Sequence, residues 1–498
     1  MKDKDKILYS QLTNSNVYET KKLRKGRVTL LITFIAFLVL DTFLIIEYKA
    51  RGVNAIGYKF LEKVNNVLES STSLVTSIWE PELNHTDNFT SVLLVGIDSR
   101  NVEFNGKEFI NTKPEGQAGT RNTDTIIQVV YDHSNGKVFM ISVPRDMGVD
   151  VRKDCLDFHG SIHWIYDKGQ AANCPGGGVQ TLTETVEGIT GIKIHYYAFI
   201  SLQAFIDVIN AVGDVNEYGE RGIWIDIEKP FYDLYPINDR GWEQVYIPAG
   251  HQFLNAEMTL KYVRCRQTSS DFGRAERQQT VIKILKERII SSETLTNPKK
   301  MYSLLSAFKK NMLFTEPNLE EIRAGISLAK DLDTSEITNI VLDPEFGGHE
   351  VYLNKQPHDR LTAQYYMVPT HWKECPQDEF CRVQEYIQKI IKYPEVFEEN
   401  ALIYVYATSY DSQGKPDLTN QKYKMLKENG LPINFNESKY ITKISTENEI
   451  TIYDFTDSLK TNTLDELSKQ LGATIKPGEE GKSIRLNNED IAIVVNSK

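Results

Sequence analysis

The sequence has too little positive charge for a typical nucleic-acid-binding protein. Its 57 lysine and arginine residues are outnumbered by 68 aspartate and glutamate residues, which gives a formal net charge of -11. Proteins that bind nucleic acid carry a basic face that neutralises phosphates, and no long basic face is visible along this chain. The acidic balance therefore argues against nucleic acid as a partner.

Cysteine is also scarce, with five residues in a chain of 498. No pair has the spacing with histidines that is typical of a zinc site, so metal binding by cysteine is the weaker interpretation. In an oxidising compartment, Cys155 could pair with Cys174 and Cys375 with Cys381, each pair closing a short loop. Cys265 would be left over, and we expect it to be an inert buried thiol.

Apolar runs long enough to cross a bilayer are rare, and residues 28–46 form the one that stands out. Its length matches the ~20 residues that a spanning helix needs. No small-residue cleavage site follows it, which favours an uncleaved anchor over a removed signal peptide. A buried core helix is the alternative interpretation. The positive-inside rule places in the cytoplasm the basic residues that precede the run, namely Lys21, Lys22, Arg24, Lys25 and Arg27.

This pattern predicts a single-pass protein of the cell membrane. Residues 1–27 would be a cytoplasmic tail, residues 28–48 the transmembrane anchor and residues 49–88 an extracytoplasmic stalk. The rest of the chain would lie outside the cytoplasm. A folded domain is predicted to begin at residue 89 with an apolar run typical of a buried strand.

Two further strands are predicted at 125–131 and 137–143, because a strong turn signal separates two apolar runs. In an antiparallel hairpin, the start of the first strand lies beside the end of the second. Arg121 and Asp124 would then meet Arg145 at one edge of an apolar sheet. Such an edge is a common place for a functional site.

Basic residues are concentrated between residues 262 and 278. If residues 259–266 form a strand, Arg264 and Arg266 share a face. If a helix begins near Asp271, Arg274 and Gln278 lie one turn apart on the same face. Arginine suits an anionic ligand because its planar fork of donors matches phosphate oxygens and keeps its charge. The stretch predicts either a site for such a ligand or a solvated basic surface beside acidic partners.

Several other segments have clear patterns without candidate chemistry. Gly176–Gly178 precede a predicted helix but lack the lysine of a P-loop, so a connector is the simpler interpretation. Helices are predicted at 195–212 and within 281–330. The C-terminal region has no cluster of candidate catalytic residues and is interpreted as a small α/β binding or scaffolding module. Its predicted strands are 402–407, 450–454 and 491–495, with helices around 417–430 and 463–471.

The ordered motifs between residues 89 and 290 resemble the LytR-CpsA-Psr (LCP) family of bacterial cell-envelope phosphotransferases. The matching motifs are Leu94–Arg100, Arg121–Thr125, Ser142–Asp146 and the arginine-rich stretch 262–279. One departure concerns the family's usual lysine-isoleucine-asparagine run, because this chain has Ser161, Ile162 and His163 there. A function tied to that lysine or asparagine is therefore not carried over, and His163 is left out of the predicted site.

The resemblance implies an α/β fold of the αβα type, in which helices flank a mixed central sheet. This catalytic domain with a helical extension would cover residues 89–345. Residues 346–399 would be a linker, and residues 400–498 look like the family's LytR C-terminal module.

By resemblance, the protein moves a glycopolymer from a polyprenyl pyrophosphate carrier to peptidoglycan and forms a phosphodiester. An apolar tunnel between the sheet and the 195–212 helix would hold the lipid tail. Asp98 and Asp124 match the family's carboxylates for Mg²⁺ (or Mn²⁺), and Asp271 is either a general base or a helix cap. A polyprenyl pyrophosphate phosphatase and a non-enzymatic envelope-binding or regulatory protein are the alternatives. The residues implied to bind pyrophosphate are Arg121, Arg145, Arg264, Arg266, Arg274 and Gln278, and the implied catalytic set is Arg145, Arg264, Arg266 and Asp271.

Overall fold

The structure is a computed structural model, and it describes most of the chain from residue 83 onward. The described ranges are 83–97, 102–105, 108–111, 121–236, 241–265, 270–291, 312–315, 337–343, 353–357, 365–370, 379–433, 435–442, 448–483 and 487–496, together with a few single residues between 294 and 375. The predicted cytoplasmic tail, the predicted anchor at 28–48 and nearly all of the predicted stalk lie outside these residues. Within the described ranges, no helix combines the length and apolarity that a membrane crossing requires.

The chain divides into two compact units, of which the first comprises Met1–Glu187 and Ile192–Leu342. Its strands are β1 Phe89–Ile97, β2 Val102–Phe104, β3 Phe109–Asn111, β4 Thr123–Asp132, β5 Lys137–Ser142, β6 Gly148–Lys153, β7 Leu156–Ser161, β8 Tyr196–Ser201, β9 Asp214–Val215, β10 Arg221–Ile227, β11 Phe231–Pro236, β12 Trp242–Ile247, β13 Gly250–Asn255, β14 Met312–Phe314 and β15 Ile337–Val341. The helices that begin in this unit are α1 Ile165–Ala171, α2 Gly177–Thr190, α3 Leu202–Val212, α4 Ala256–Arg264 and α5 Ser270–Ile290, with a 3-10 turn at Ile162–Trp164.

A six-stranded sheet forms the centre of the first unit, in the order β14-β8-β1-β4-β5-β15. The β1–β8 and β5–β15 pairs are parallel, whereas β1–β4, β4–β5 and β8–β14 are antiparallel. The predicted mixed sheet is thus confirmed. Strand β1 lies in its middle because it is apolar on both faces, and Val92, Leu93 and Val95 are at most 1% exposed.

The predicted hairpin is present as β4 and β5, which pair from Asp132 opposite Lys137 to Ile127 opposite Ser142. Its turn is stabilised by the carboxylate of Asp132, which accepts hydrogen bonds from the amide and hydroxyl of Ser134 at 2.8 and 2.6 Å. Such side-chain-to-backbone bonds within two residues are the reason aspartate favours turns. Gly136 completes the turn with a φ of 76°, a left-handed conformation that favours glycine.

The strand considered for residues 259–266 is not formed, because Ala256–Arg264 is helix α4. The helix begins at this point because the side chain of Asn255 caps it, accepting a bond from the amide of Met258 at 2.9 Å. Its buried positions include Leu260 and Val263, which have helical spacing. Arg264 therefore lies on a helix and not on a strand face shared with Arg266, which is outside the described residues.

Two helical predictions need correction at their boundaries. Residues 195–212 are not one helix, because Tyr196–Ser201 is strand β8 and only Leu202–Val212 is helical. The change occurs at Ser201, whose hydroxyl accepts a bond from the amide of Ala204 and caps α3. The 281–330 stretch also contains a strand, Met312–Phe314, which pairs with β8. Short apolar runs of this kind fit a strand or a helix equally well by pattern alone.

The glycine run at 176–178 is required by sterics. Gly176 and Gly177 have φ values of 70° and 63°, and a Cβ on Gly178 would lie 2.0 Å from the carbonyl oxygen of Tyr166. This close approach accounts for the glycines without a phosphate ligand.

Both expected cysteine pairs are disulfides, Cys155–Cys174 and Cys375–Cys381. Cys265 is a buried free thiol, and burial raises its pKa to about 11.

The second unit comprises Gly188–Gly191 and Asp343–Lys498. Its five-stranded sheet has the strand order Phe435–Ile441, Ile403–Ala407, Ile491–Val495, Ile450–Asp454 and Thr474–Pro477. The predicted C-terminal strands and helices are all present. Part of the predicted linker at 346–399 is also folded, since it contains two strands and two helices. The elements are β16 Leu353–Pro357, β17 Tyr365–Pro369, α6 Cys381–Lys392, α7 Pro394–Glu399, β18 Ile403–Ala407, α8 Gln421–Asn429, β19 Phe435–Ile441, β20 Ile450–Asp454, α9 Thr461–Leu471, β21 Thr474–Pro477, a 3-10 turn at Gly478–Gly481 and β22 Ile491–Val495.

Candidate pyrophosphate site

Charged side chains meet at one end of the central sheet, where β4 begins and β5 has ended. The Nη1 of Arg145 donates a hydrogen bond to Asp124 Oδ2 at 2.8 Å, and both side chains are 18% exposed. Asp124 is the second residue of β4, and Arg145 follows β5 after Pro144. The predicted convergence of Asp124 and Arg145 at the hairpin edge is confirmed.

His163 anchors the backbone of Arg145, a contact that sequence reasoning missed. The carbonyl oxygen of Arg145 accepts a bond from the His163 amide at 3.2 Å and lies 2.9 Å from its ring Nδ1. The second contact requires a proton on Nδ1, which fixes the tautomer of the neutral ring. Burial is the main cause of the lowered pKa of His163, and the nearby Arg145 charge adds to it. The sequence feature that could have indicated a role for His163 is that it replaces the asparagine usual in the family.

Helix α5 brings Arg274 and Gln278 to the same edge, as their spacing predicts. The Nη2 of Arg274 donates to the carbonyl oxygen of Asp124 at 3.2 Å, and Arg274 is only 6% exposed. One turn later, Gln278 Nε2 donates to Thr125 Oγ1 at 2.9 Å and to the Val263 carbonyl oxygen at 3.2 Å. These bonds connect α5 to both β4 and α4.

Arg264 reaches the site from the last residue of α4. Its Nη1 donates a 2.6 Å hydrogen bond to the hydroxyl oxygen of Tyr235, and its guanidinium lies 5.4 Å from the centre of the Tyr235 ring. Both Arg264 and Gln278 line one cavity. Tyr235 is a contact that the sequence did not reveal, because it lies on strand β11, almost thirty residues away.

Arg277 has a structural role, although it belongs to the same arginine-rich stretch. Its Nε donates to the Tyr262 carbonyl oxygen at 2.8 Å, and its Nη2 donates to the carbonyl oxygen of Cys265. The guanidinium also lies 4.8 Å from the ring centre of Phe231. Burial lowers the pKa of Arg277. This residue therefore satisfies carbonyl groups at the end of α4.

Arg121 has a different set of partners from Asp124 and Arg145. Its Nε donates to Asp167 Oδ1 at 2.6 Å, and its Nη1 donates to the Phe109 carbonyl oxygen at 3.3 Å. Glu108 Oε2 lies 3.8 Å from Nη1. The described contacts thus hold Arg121 against β3 and α1, and its binding of pyrophosphate stays a prediction.

The remaining predicted residues lie partly or wholly outside the described ranges. Asp98 and Arg266 belong to undescribed segments, although Ile97, the residue before Asp98, pairs with Thr123. Asp271 is the second residue of α5, but its side chain is outside the description. Its alternative roles as base and cap both stay open.

An apolar cavity of about 180 Å³ extends from the charged edge between the sheet and the helices. Gly96 and Thr125 line it at the site, and Val92 and Val129 line it four residues further along the paired strands. At about 3.3 Å per residue, this distance is roughly 13 Å. The expected apolar space beside α3 is confirmed. Further lining residues are Leu94, Ile127 and Met140 from the sheet, and Leu202, Phe205, Val208, Leu260, Val263, Ile282 and Leu285 from α3, α4 and α5.

The donor chemistry of the described residues is compatible with a magnesium ion but does not enclose one. No group of three or more histidine, cysteine, aspartate or glutamate residues that could hold a metal occurs in the described ranges. Magnesium commonly uses one or two carboxylates and takes its other ligands from water and substrate phosphate. Asp124 supplies one such carboxylate at the site. A metal at Asp124 and Asp98 therefore stays a prediction.

Comparison with known proteins gives a consistent set of relatives. The model of the LytR_cpsA_psr family matches residues 57–365, more than half of the chain. TagV of Bacillus subtilis, named a polyisoprenyl-teichoic acid–peptidoglycan teichoic acid transferase, is 29% identical over 286 residues, covering 57% of this chain and 66% of TagV. The cell wall biosynthesis protein LcpA of Corynebacterium glutamicum is 26% identical and covers 53% of this chain and 52% of LcpA. The chain thus spans less than two thirds of the length of these relatives.

Among solved structures, the crystal structure of TagV from Bacillus subtilis is 24% identical, with a TM-score of 0.43. This likeness covers 62% of this chain and 99% of that one.

Proposed function

Because the chain belongs to the LytR_cpsA_psr family, we propose that it transfers a glycopolymer from a polyprenyl pyrophosphate carrier to peptidoglycan. The product is a phosphodiester, and the enzyme is a phosphotransferase. The single observation that carries the proposal is that the charged cluster around Asp124 meets, through Thr125 and Gln278, an apolar cavity whose wall also bears Arg264. A polyprenyl pyrophosphate has the same two parts, a multiply charged head and a long apolar tail.

The charged end of the site suits the head of this donor. Arg145 and Arg274 both contact Asp124, whose chain segment also bears Thr125, the partner of Gln278. These contacts hold the guanidinium groups in place before substrate binds. Preorganised donors stabilise developing charge more effectively than water does, because they need no reorientation during the reaction. Arg264 adds a cation at the cavity wall.

The apolar end suits the lipid. The cavity walls are almost entirely aliphatic and aromatic side chains from the sheet and from α3, α4 and α5. Removing a polyprenyl chain from water at such a surface is favourable, at roughly 25 cal/mol for each Å² of apolar area. The donor would therefore bind through its tail and be oriented by its pyrophosphate.

In the proposed reaction, a hydroxyl oxygen of the acceptor attacks the phosphorus that carries the glycopolymer. The bond from this phosphorus to the bridging oxygen breaks, and polyprenyl phosphate leaves with the electron pair. Arg145, Arg264 and Arg274 neutralise the charge that grows on the phosphate oxygens. The proton of the hydroxyl passes to a base, for which Asp271 is our candidate. A magnesium ion held by Asp124 and Asp98 would supply further charge neutralisation when bound.

We also propose that the chain is anchored in the cell membrane through residues 28–48, with both units outside the cytoplasm. The apolar run and its basic flank support this proposal. An anchor would keep the site near its lipid-linked donor and raise the effective concentration. Protease digestion of intact cells and of inverted vesicles measures the orientation directly.

The decisive experiment follows the fate of a labelled glycopolymer on a polyprenyl pyrophosphate donor. We expect wild-type protein to place the label on peptidoglycan and to release polyprenyl phosphate. Arg145→Ala should abolish transfer, whereas Arg152→Ala should not, because Arg152 is exposed on β6 and pairs only with Asp150 among its described contacts. Release of free labelled polymer without transfer would support a phosphatase instead. Full activity in cells expressing Arg145→Ala would rule out the catalytic proposal in favour of a binding or regulatory role.

A further inference from the structure

A two-stranded ribbon of the first unit has an exposed aromatic face that the proposed reaction does not use. Strands β10 and β13 pair with each other, and the chain continues directly into the pair β11 and β12. Ile227 opposite Gly250 ends the first pair, and Phe231 opposite Ile247 begins the second. Three residues separate the pairs on one strand and two on the other, so the two pairs follow one another along the chain as neighbouring but separate sheets.

Both halves of the ribbon bury the same side in one core. Ile225 of β10, Val245 and Ile247 of β12, and Leu254 of β13 are at most 3% exposed and belong to a single hydrophobic cluster. Because side chains alternate along a strand, the residues between them face outward on the opposite side. This outward side is called the aromatic face here, and it consists of Trp224, Phe253, Tyr232, Tyr246 and Trp242.

The aromatic face is solvent-exposed. Trp224 is 38% exposed, Tyr232 47%, Trp242 55% and Tyr246 60%. Tyr232 lies directly opposite Tyr246 across the ladder. Trp242 and Tyr246 are four residues apart on β12, which places them roughly 14 Å apart on one side. Contiguous exposed aromatic side chains of this kind mark interaction surfaces, because water alone does not favour them.

The charge of the aromatic face selects the class of partner. At the outward positions of β11 and β12 the side chains are Tyr232, Leu234, Trp242, Gln244 and Tyr246, none of which is charged. A surface that binds anionic lipid carries lysine and arginine beside its aromatic residues. Here the face has neither, and the whole chain has a net charge of -11. An uncharged partner is therefore favoured over an anionic membrane surface.

On β10 and β13, the charge on the outward side is satisfied within the ribbon. The ring of His251 stacks on Trp224, with centroids 5.0 Å apart and an interplanar angle of 2°. His251 Nδ1 also lies 2.7 Å from Asp226 Oδ1. These contacts hold the His251 and Trp224 rings against each other on the outward side.

We infer that the aromatic face binds a chain of uncharged sugar rings, and, on the basis of the proposed function, that this chain is the glycan of the acceptor. Sugar rings present flat C–H faces that pack against indole and phenol rings, and their hydroxyl groups match the Tyr246 hydroxyl and the Gln244 amide. The inward side of the same strand bears Tyr235, the partner of Arg264. Sugar rings held on the outward side are therefore tethered to the strand that also bears this partner of a site arginine, which raises the acceptor concentration near the site.

The test measures binding of the full chain in detergent micelles to purified peptidoglycan from which other polymers have been removed. We expect the Trp242→Ala/Tyr246→Ala double variant to bind roughly tenfold more weakly, since aromatic anchors dominate such interfaces. Tyr246→Phe should retain most of the binding, because the ring is kept. Tyr410→Ala, at an equally exposed tyrosine of the second unit (55%), should bind as wild type does. Unchanged binding by the double variant would overturn the inference.

Two further measurements separate this inference from the proposed function. In the transfer assay, the double variant should raise the KM for acceptor roughly tenfold and leave donor binding unchanged, as expected for lost uniform binding. Arg145→Ala should bind peptidoglycan normally but fail to transfer. If wild type binds peptidoglycan through Trp242 and Tyr246 but never transfers label, the proposed function fails and the glycan surface stands.

The membrane alternative has its own readout. The full chain and its Trp242→Phe variant are each reconstituted into vesicles containing brominated phospholipid, and quenching of tryptophan fluorescence is measured. The quenching that is lost in the variant belongs to Trp242. No such Trp242-specific quenching is expected, whereas soluble peptidoglycan fragments should change the Trp242 signal. Quenching of Trp242 by lipid with no response to the fragments would show a membrane contact and overturn the inference.

Discussion

The two sheets of this protein differ in what the charged residues at their strand ends contact. In the second unit, carboxylates satisfy neighbouring backbone groups. Asp454, at the end of β20, accepts bonds from the amides of Thr456 and Ser458 at 2.8 and 2.7 Å. In the first unit, charged side chains where β4 begins and β5 has ended contact one another, beside Thr125 and Gln278, which line an apolar cavity.

This difference shows that charged residues at the strand ends of one sheet can stabilise a loop, whereas those of another can form a candidate site. Burial raises the pKa of Asp454, but hydrogen bonds from Thr456 and Ser458 outweigh it and the pKa is lowered. The Asp454 carboxylate is therefore bonded to the loop that follows its own strand. The guanidinium groups of Arg145 and Arg274 instead converge on Asp124, and such a grouping of several donors suits a polyanionic ligand.

The largest expected effect is on the rate of transfer, and it distinguishes the roles of two arginines on α5. Arg274→Ala should reduce transfer at least hundredfold, by analogy with loss of one preorganised donor. Arg277→Ala should instead reduce the free energy of unfolding by about 2 kcal/mol, because it leaves buried carbonyl groups without their donor. Initial rates and denaturant unfolding measured on both variants distinguish these roles. Equal losses of rate at equal stability would contradict the assignment.

Filling the cavity should weaken donor binding with a smaller effect. Val208→Phe places a larger side chain on the wall formed by α3, and we expect the KM for a long-chain polyprenyl donor to rise roughly tenfold. A donor with a short lipid should be affected less, since it fills less of the cavity. The pair of donors serves as an internal control, and identical changes in KM for both would argue against the cavity as the lipid site.

His163→Ala should lower transfer by about tenfold, because the Arg145 carbonyl oxygen loses its bond to the His163 ring, keeping only the one from the His163 amide, and the reacting geometry loosens. His163→Asn keeps a side-chain donor and should recover part of the rate. Comparison of kcat and KM for donor identifies the cause, since positioning affects kcat. Wild-type kcat in His163→Ala would exclude a positioning role.

The smallest effect concerns stability of the second unit. Glu399 accepts bonds from the amides of Asn462 and Thr463 at 2.9 and 2.8 Å, at the start of α9. Burial raises the pKa of Glu399, but bonds from Thr463 and Asn462 outweigh it and lower the pKa below its ordinary value of 4.5. Its stabilisation is therefore present at neutral pH and is lost as the pH falls through the lowered pKa.

Glu399→Gln should destabilise the protein by about 0.5–1 kcal/mol at pH 7, as other helix caps do. The difference from wild type should shrink as the pH is lowered, which denaturant unfolding at several pH values measures. Asp465→Asn on the same helix is the control and should have little effect, because Asp465 is exposed. A difference that grows on acidification would contradict the sign of this linkage.

Sequence reasoning succeeded where local signals were strong. The turn at 132–136 predicted the β4–β5 hairpin, and the hairpin in turn predicted the meeting of Asp124 and Arg145. The spacing of Arg274 and Gln278 was correct because α5 is a long regular helix. Residues 259–266 were not recognised as helical, because the helix start depends on Asn255, a capping residue that precedes the arginine-rich stretch.

The sequence by itself determined which residues carry charge, where the chain turns and which family motifs are present. Those properties depend on residue type and on short-range spacing. Only the tertiary structure decided that Arg274 and Arg277, three residues apart, face different partners, and that Tyr235 and His163 hold Arg264 and Arg145. These contacts join residues that are distant in the chain, and their geometry is fixed by packing of helices against the sheet, which no local pattern encodes.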